Sequence, residues 1–318
     1  MKNRLLDRPL NPPSAINIAM LWHLLRTMRP RQWIKNVFVF TALLFSEERL
    51  WLEFDAFIRV CVAFAAFCMA ASAIYLINDL VDIEKDRAHP RKRNRPLASG
   101  KLSPLVAAIA AVVLISITLP IAYWIDRQDL GFLTVLVTYI VIQGLLYTYW
   151  LKHVVILDIL IIAAGFVLRT VAGAAVLDIS ITSWLLVCMG LLALFLGIGK
   201  RRHELVLLDD GAGEHRRILT EYSIPLLDQM MSIVTASIVM AYSMTTFSAP
   251  VAPKEPYPVL MITIPFVVYA IFRYLYLIYQ RDGGGSPEDL VLQDVPLAGS
   301  IVLWGMTVLA LLFIFRST

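Results

Sequence analysis

Charge is scarce in this chain. Only 16% of its 318 residues are Asp, Glu, Lys or Arg, whereas 59% are hydrophobic. A soluble domain carries about 25% charged and about 45–50% apolar residues. With a mean hydropathy of +0.72, the composition excludes a soluble enzyme, a disordered chain and a fibrous protein, and leaves a polytopic membrane protein. Cysteine is scarce too. Cys61, Cys68 and Cys188 lie in apolar runs, at no metal or disulfide spacing, and read as small packing residues. There is no P-loop, no dinucleotide glycine fingerprint, no HExxH and no GxSxG, which removes the chemistries those motifs carry. His23, His153 and His215 are isolated and read as interfacial rather than as ligands. Residues 1–20 hold Arg4, Asp7, Arg8 and three prolines without an apolar core, so no cleavable signal peptide is expected.

Apolar runs of membrane-spanning length are what the chain has in abundance. Nine are expected, at 34–50, 55–78, 103–125, 130–150, 154–177, 182–199, 225–248, 257–279 and 296–315. The first is short and interrupted by polar residues. With the N-terminus inside, the inside segments carry 22 Lys and Arg, and the outside connections and C-terminal tail carry 4. This asymmetry predicts a cytoplasmic N-terminus, an external C-terminus and a site facing the cytoplasm, in the plasma membrane. The fold expected is an all-α polytopic bundle in one membrane-embedded domain over 1–318, with residues 1–25 a mobile cytoplasmic segment.

Two polar clusters follow even-numbered spans. The first leaves span 2 as Asn78-Asp79-Leu80-Val81-Asp82-Ile83-Glu84-Lys85-Asp86. At helical spacing Asp79, Asp82 and Asp86 fall on one face, where three carboxylates repel one another unless a cation sits between them. Mg²⁺ held by Asn78, Asp79, Asp82 and Asp86, with substrate phosphates completing its shell, is the economical reading. The bland alternative is a solvated acidic helix end. Five Lys or Arg follow between 91 and 101, among them Arg93 and Arg95. They suit the free oxygens of a metal-bound diphosphate, or serve only as topogenic charge.

The pattern N-D-x-x-D-x-x-x-D closing a second membrane helix, followed by Arg95-Pro96-Leu97-Ala98-Ser99-Gly100, resembles the UbiA superfamily of intramembrane prenyltransferases. Further runs resemble its decaprenyl-phosphate phosphoribosyltransferase branch. These are Arg29 to Asn36, His89-Pro90, Leu151-Lys152-His153, Arg169 to Gly173, Gly199-Lys200-Arg201 through Glu204-Leu205, Arg273-Tyr274 and Pro287-Glu288-Asp289. Together they cover roughly residues 25–305. The resemblance implies a UbiA-like bundle and Mg²⁺-dependent transfer of phosphoribose from phosphoribosyl pyrophosphate to a polyprenyl (decaprenyl) phosphate. The product would be a precursor for cell-envelope arabinan. Membrane lipid is implied as a partner, a homo-oligomer is compatible with the family, and no nucleic acid is expected.

The chain departs from the superfamily after span 6. Most members carry a second aspartate-rich motif there, whereas this chain has Gly199-Lys200-Arg201-Arg202-His203-Glu204. Lys200, His203 and Glu204 share a helix face, while Asp209 and Asp210 are adjacent and point apart. A site for two phosphorylated substrates needs more cations and fewer carboxylates, which fits a phosphoribosyl donor. Asp79, Asp82 and Asp86 are therefore the expected catalytic carboxylates. Lys35, Asn36, Asn78, Arg93, Arg95, Lys152, Arg169, Lys200, Arg201 and Glu204 are the expected substrate contacts. Arg169 lies inside an apolar span and is either such a contact or an ion-pair partner of Asp158. Lys152 either binds substrate or snorkels. Lys35 and Asn36 either touch phosphate or ribose, or are simply the polar end of a helix. Two rival readings remain: the same fold moving a prenyl group from a prenyl diphosphate to an aromatic or other acceptor, and a transporter, which broken, charged spans would favour. The role of Gly283-Gly284-Gly285 is open.

Overall fold

The computed structural model describes residues 18–46, 49–89, 92–126, 129–209, 217–281, 285 and 287–315. Among them, helix α1 (Ile18–Met28) and a 3₁₀ segment (Pro30–Phe40) precede eight helices long and apolar enough to cross a membrane. These are α2 (Phe54–Val81), α3 (Pro104–Ile125), α4 (Gly131–Tyr149), α5 (Leu157–Ala175), α6 (Ser183–Asp209), α7 (Ile224–Ser248), α8 (Ile264–Gln280) and α9 (Val295–Ile314). The protein is an integral membrane bundle, all helical among the described residues.

The ends of these helices follow from local chemistry. Pro104, Pro225, Pro265 and Pro296 sit in first turns, where no backbone N–H is required of them. Ser223 and Asp294 cap α7 and α9 by accepting the Leu226 and Leu297 amide hydrogens.

Helix α2 is central. Of its most apolar window 61% is buried, against 22% for α3 and for α7, which face lipid. Its buried face is built of small residues, Ala56, Ala63, Ala66, Ala70 and Ala73. Small side chains let helices approach closely where lipid supplies no hydrophobic drive between them.

The first expected span takes another form. The run 34–50 is no single α-helix: a 3₁₀ helix from Pro30 to Phe40 leads into a short α-turn, Thr41–Leu44. The 3₁₀ rise of about 2 Å per residue stretches these 15 residues to roughly 28 Å, close to the ~30 Å hydrocarbon core. Gly173 of α5 permits this path, because a Cβ there would overlap the Val39 carbonyl. Residues 18–25, expected to be mobile, form most of α1. Met20, Leu24 and Met28, one turn apart, pack on a core shared with α2 and α3. The basic stretch after span 6 is not a loop either, since α6 continues unbroken to Asp209.

Candidate active site

Successive spans alternate in direction, so the C-terminal ends of α2, α4 and α6 and the N-terminal end of α5 gather at one end of the bundle. They surround a cavity of about 900 Å³ whose wall includes Asp79, Asp82, Asp86, Lys152, Arg169 and Arg201.

The mouth is the acidic cluster. Helix α2 ends at Asp82, whose backbone leaves helical geometry, yet Asp82 N–H still bonds Asn78 O and Asp86 N–H bonds Asp82 O. The three aspartates therefore stay near one face but do not meet at one point. Asp79 and Asp86, both nearly fully buried, converge on a single nitrogen, Arg95 Nη1, at 3.2 and 2.7 Å. Arg29 also donates to Asp79 and stacks on Tyr75. Asp82 turns to Lys152, whose Nζ donates to both carboxylate oxygens at 3.0 and 2.8 Å.

This donor set fits Mg²⁺ in a particular way. Two carboxylates already share one cationic position, and Mg²⁺ is characteristically held by one or two carboxylates with phosphate oxygens and water. Among the described residues no three His, Cys, Asp or Glu side chains could hold a metal alone. All four residues expected from the motif, Asn78, Asp79, Asp82 and Asp86, line the cavity, and the Asp79–Asp86 pair is the part of the set that already shares a cation.

The second cluster lies on the first turns of α5 and the last turns of α6. Arg201, only 2% exposed, donates from Nε to Asp158 and from Nη1 to Glu204, both at 2.7 Å. Tyr222 donates to the other Asp158 oxygen at 2.7 Å and accepts the Ile156 N–H. Burial, and then the hydrogen bond to Asp158, push the Tyr222 phenol up to about 12, so it remains a neutral donor at physiological pH. Lys200, Arg201 and Glu204 all line the cavity, whereas His203 packs against Gly285.

Other expectations change in detail. Asp158 pairs with Arg201, and Arg169 does not pair with it. Arg169 instead donates to Asn36 Oδ1, Gly165 O and Tyr139 OH. Asn36 is fully buried and holds Arg169 rather than lining the cavity. Arg93 is exposed and outside the cavity wall, because the one-turn 3₁₀ helix Lys92–Asn94 turns it away from Arg95. Lys35 lines the cavity as expected. Gly283 and Gly284 lie outside the described residues.

Sequence reasoning left several residues of the site without a role, among them Arg29, Tyr139, Gln143 and Tyr147. Arg29 stood within a matching run but drew no role. Its left-handed backbone, φ 54°, aims the chain from α1 into the 3₁₀ segment. Tyr139, Gln143 and Tyr147 line the cavity from α4. They stand at i, i+4 and i+8, on one face of the helix, and the stretch between the outer two, Ile140–Leu146, is π-helical. The available signal was three polar residues at that spacing inside an apolar run.

With this geometry in place, comparison with known proteins is decisive. The UbiA prenyltransferase family matches residues 36–288. The chain belongs to the UbiA family. This chain is 36% identical over 304 residues to the decaprenyl-phosphate phosphoribosyltransferase of Mycolicibacterium smegmatis, covering 91% of this chain and 92% of that one. It is 32% identical over 309 residues to the enzyme of the same name from Corynebacterium glutamicum, covering 97% and 91%. Among solved structures, a UbiA homologue from Archaeoglobus fulgidus bound to DMAPP and Mg²⁺ superposes with a TM-score of 0.68. That match covers 92% of this chain and all of the other at 16% identity, and it supports the UbiA fold alone.

Proposed function

We propose that this protein transfers phosphoribose from phosphoribosyl pyrophosphate to a polyprenyl phosphate and releases pyrophosphate. The observation that carries the proposal is the second cluster. Where a prenyltransferase of this family would present a second set of aspartates, Lys200 and Arg201 face the same cavity as Asp79, Asp82 and Asp86. The names of the relatives support the same reading.

Asp79 and Asp86 would hold Mg²⁺, which when bound supplies charge neutralisation for the departing diphosphate. Arg29, Arg95 and Lys152, which line the cavity beside those carboxylates, would bind the diphosphate oxygens. A lipid phosphate oxygen attacks ribose C1 while the C1–oxygen bond to diphosphate breaks, and the bonding pair leaves with pyrophosphate. A phosphate monoester dianion needs no strong base to do this. The protein's own contribution is to align two anions that repel each other, with Lys152, Arg169, Lys200 and Arg201 offsetting that repulsion in a partly dry cavity. The Lys and Arg asymmetry of the sequence supports a cytoplasmic orientation for this end, in the plasma membrane.

Lys200→Gln tests the carrying observation. It should raise KM for phosphoribosyl pyrophosphate about tenfold and change kcat little, the signature of lost uniform binding. An unchanged KM, or consumption of a prenyl diphosphate with an aromatic acceptor by the wild type, would overturn the proposal.

A further inference from the structure

Among the arginine and lysine side chains that line the cavity, Arg169 differs from Arg29, Arg95, Lys152 and Arg201. Arg29, Arg95, Lys152 and Arg201 each face at least one carboxylate. Arg169 faces none among the described residues. Its three partners, Asn36 Oδ1, Gly165 O and Tyr139 OH, are neutral, each at 2.7 Å. Its guanidinium also lies over the Tyr139 ring at 4.7 Å and near Phe166 at 5.4 Å. A guanidinium has five N–H donors. Three are used, which leaves one N–H on each terminal nitrogen. The residue is only 7% exposed, and it lines the cavity.

This is an expensive arrangement unless an anion completes it. A full charge within a membrane span is costly without a counter-charge, and neutral acceptors orient a cation without cancelling it. The rest of the surroundings fit a ligand headgroup. Gln143 reaches the same spot: a Cβ on Gly165 would stand 2.7 Å from Gln143 Nε2 and 3.3 Å from Arg169 Nη1. Gly165 is thus what lets both side chains lie against α5. Phe38, Ile162 and Phe166 supply an apolar wall beside them.

The position separates this pocket from the mouth. Arg169 stands 11 residues along α5 from Asp158, and Cys68, which accepts from Asn36, stands 11 residues along α2 from Asp79. Both intervals correspond to roughly 16 Å of helix. The guanidinium reaches back one turn to Gly165, so its head lies roughly 10 Å below the carboxylate level. A diphosphate held at Asp79 and Asp86 is not the group that meets it.

We infer that Arg169, Tyr139 and Gln143 form a separate subsite for a phosphate monoester at the floor of the cavity. The pocket's preference for an anion rests on geometry alone. That the monoester is one of the two substrates' own phosphates, the lipid acceptor's headgroup or the donor's 5-phosphate, rests on the proposed reaction. Both have the same chemistry, a dianionic terminal phosphate, and the test separates them.

The experiment is titration calorimetry on the purified full-length protein in detergent with Mg²⁺. The probes are farnesyl phosphate, ribose 5-phosphate and pyrophosphate. Arg169→Gln should weaken one of the two monoesters by about tenfold or more, the scale of a lost charged hydrogen-bond pair, and leave pyrophosphate within about twofold. Loss of farnesyl phosphate assigns the floor to the acceptor, and loss of ribose 5-phosphate assigns it to the donor. Tyr139→Phe, a milder change that guards against misfolding of the first variant, should weaken the same monoester by a few-fold. Unchanged affinity for both monoesters, or an equal loss for pyrophosphate, would overturn the inference. If monoester binding falls as described while no phosphoribosyl transfer occurs in the wild type, the subsite stands and the proposed reaction does not.

Discussion

Lys152 and Asp82, 70 positions apart, meet at the mouth of the cavity with Nζ 2.8 and 3.0 Å from the two carboxylate oxygens. The contact ties the turn between α4 and α5 to the end of α2. Lys152 is 7% exposed along its side chain and Asp82 25%, so the pair is sheltered but not dry.

Breaking that pair should damage the reaction more than the fold. Lys152→Met is expected to lower kcat/KM by about 100-fold, the usual scale for removing one positioned charge from a reacting anion. Asp82→Asn should act on the same step. The double variant should lose less than the product of the two single losses, because the residues share one contact. Steady-state kinetics on the four proteins measures this, and full additivity would separate the two roles.

Gly173 is expected to be intolerant of any side chain. A Cβ there would overlap the Val39 carbonyl, so Gly173→Ala must push the 3₁₀ segment off α5 at a cost of about 1–3 kcal/mol or more. Gly299→Ala is the control, since a Cβ at Gly299 meets nothing within 4 Å, and it should be neutral or slightly stabilising. Thermal unfolding in detergent distinguishes the two, and equal melting temperatures would contradict the close approach.

The Tyr222 clamp predicts a pH signature. Its folded-state phenol is raised to about 12 by burial and by Asp158, from the ordinary value near 10. A raised pKa contributes stability fully below the unfolded value and loses it as pH climbs through the folded one. The wild type should therefore lose melting temperature relative to Tyr222→Phe between about pH 10 and 12, and the difference between them should be flat from pH 6 to 9. A difference that already changes near pH 8 would rule the clamp out.

Much of this architecture was legible in the sequence, and the exceptions have physical causes. Hydropathy located α2 to α9 because lipid demands long apolar helices. It misread 34–50, because a 3₁₀ segment covers the same thickness with fewer residues and tolerates Gln32, Lys35 and Asn36 on its inward side. The aspartate motif pointed to the mouth, and the basic run pointed to Lys200 and Arg201. Partner choice was not legible. Asp158 takes Arg201, Asn36 takes Arg169, and Asp82 takes Lys152, because pairings between helices depend on rotation about their axes. Tyr139, Gln143 and Tyr147 stayed hidden because, although i, i+4, i+8 places them on one helix face, they are uncharged and sit singly among apolar residues of a span.

Transfer of label from phosphoribosyl pyrophosphate tests the central claim most directly. Purified protein would be given ribose-labelled donor, decaprenyl phosphate and Mg²⁺, with Asp82→Asn and EDTA controls. The account predicts label in an organic-extractable lipid, matched by pyrophosphate release and lost in both controls. No labelled lipid, with a prenyl diphosphate consumed instead alongside an aromatic acceptor, would contradict it.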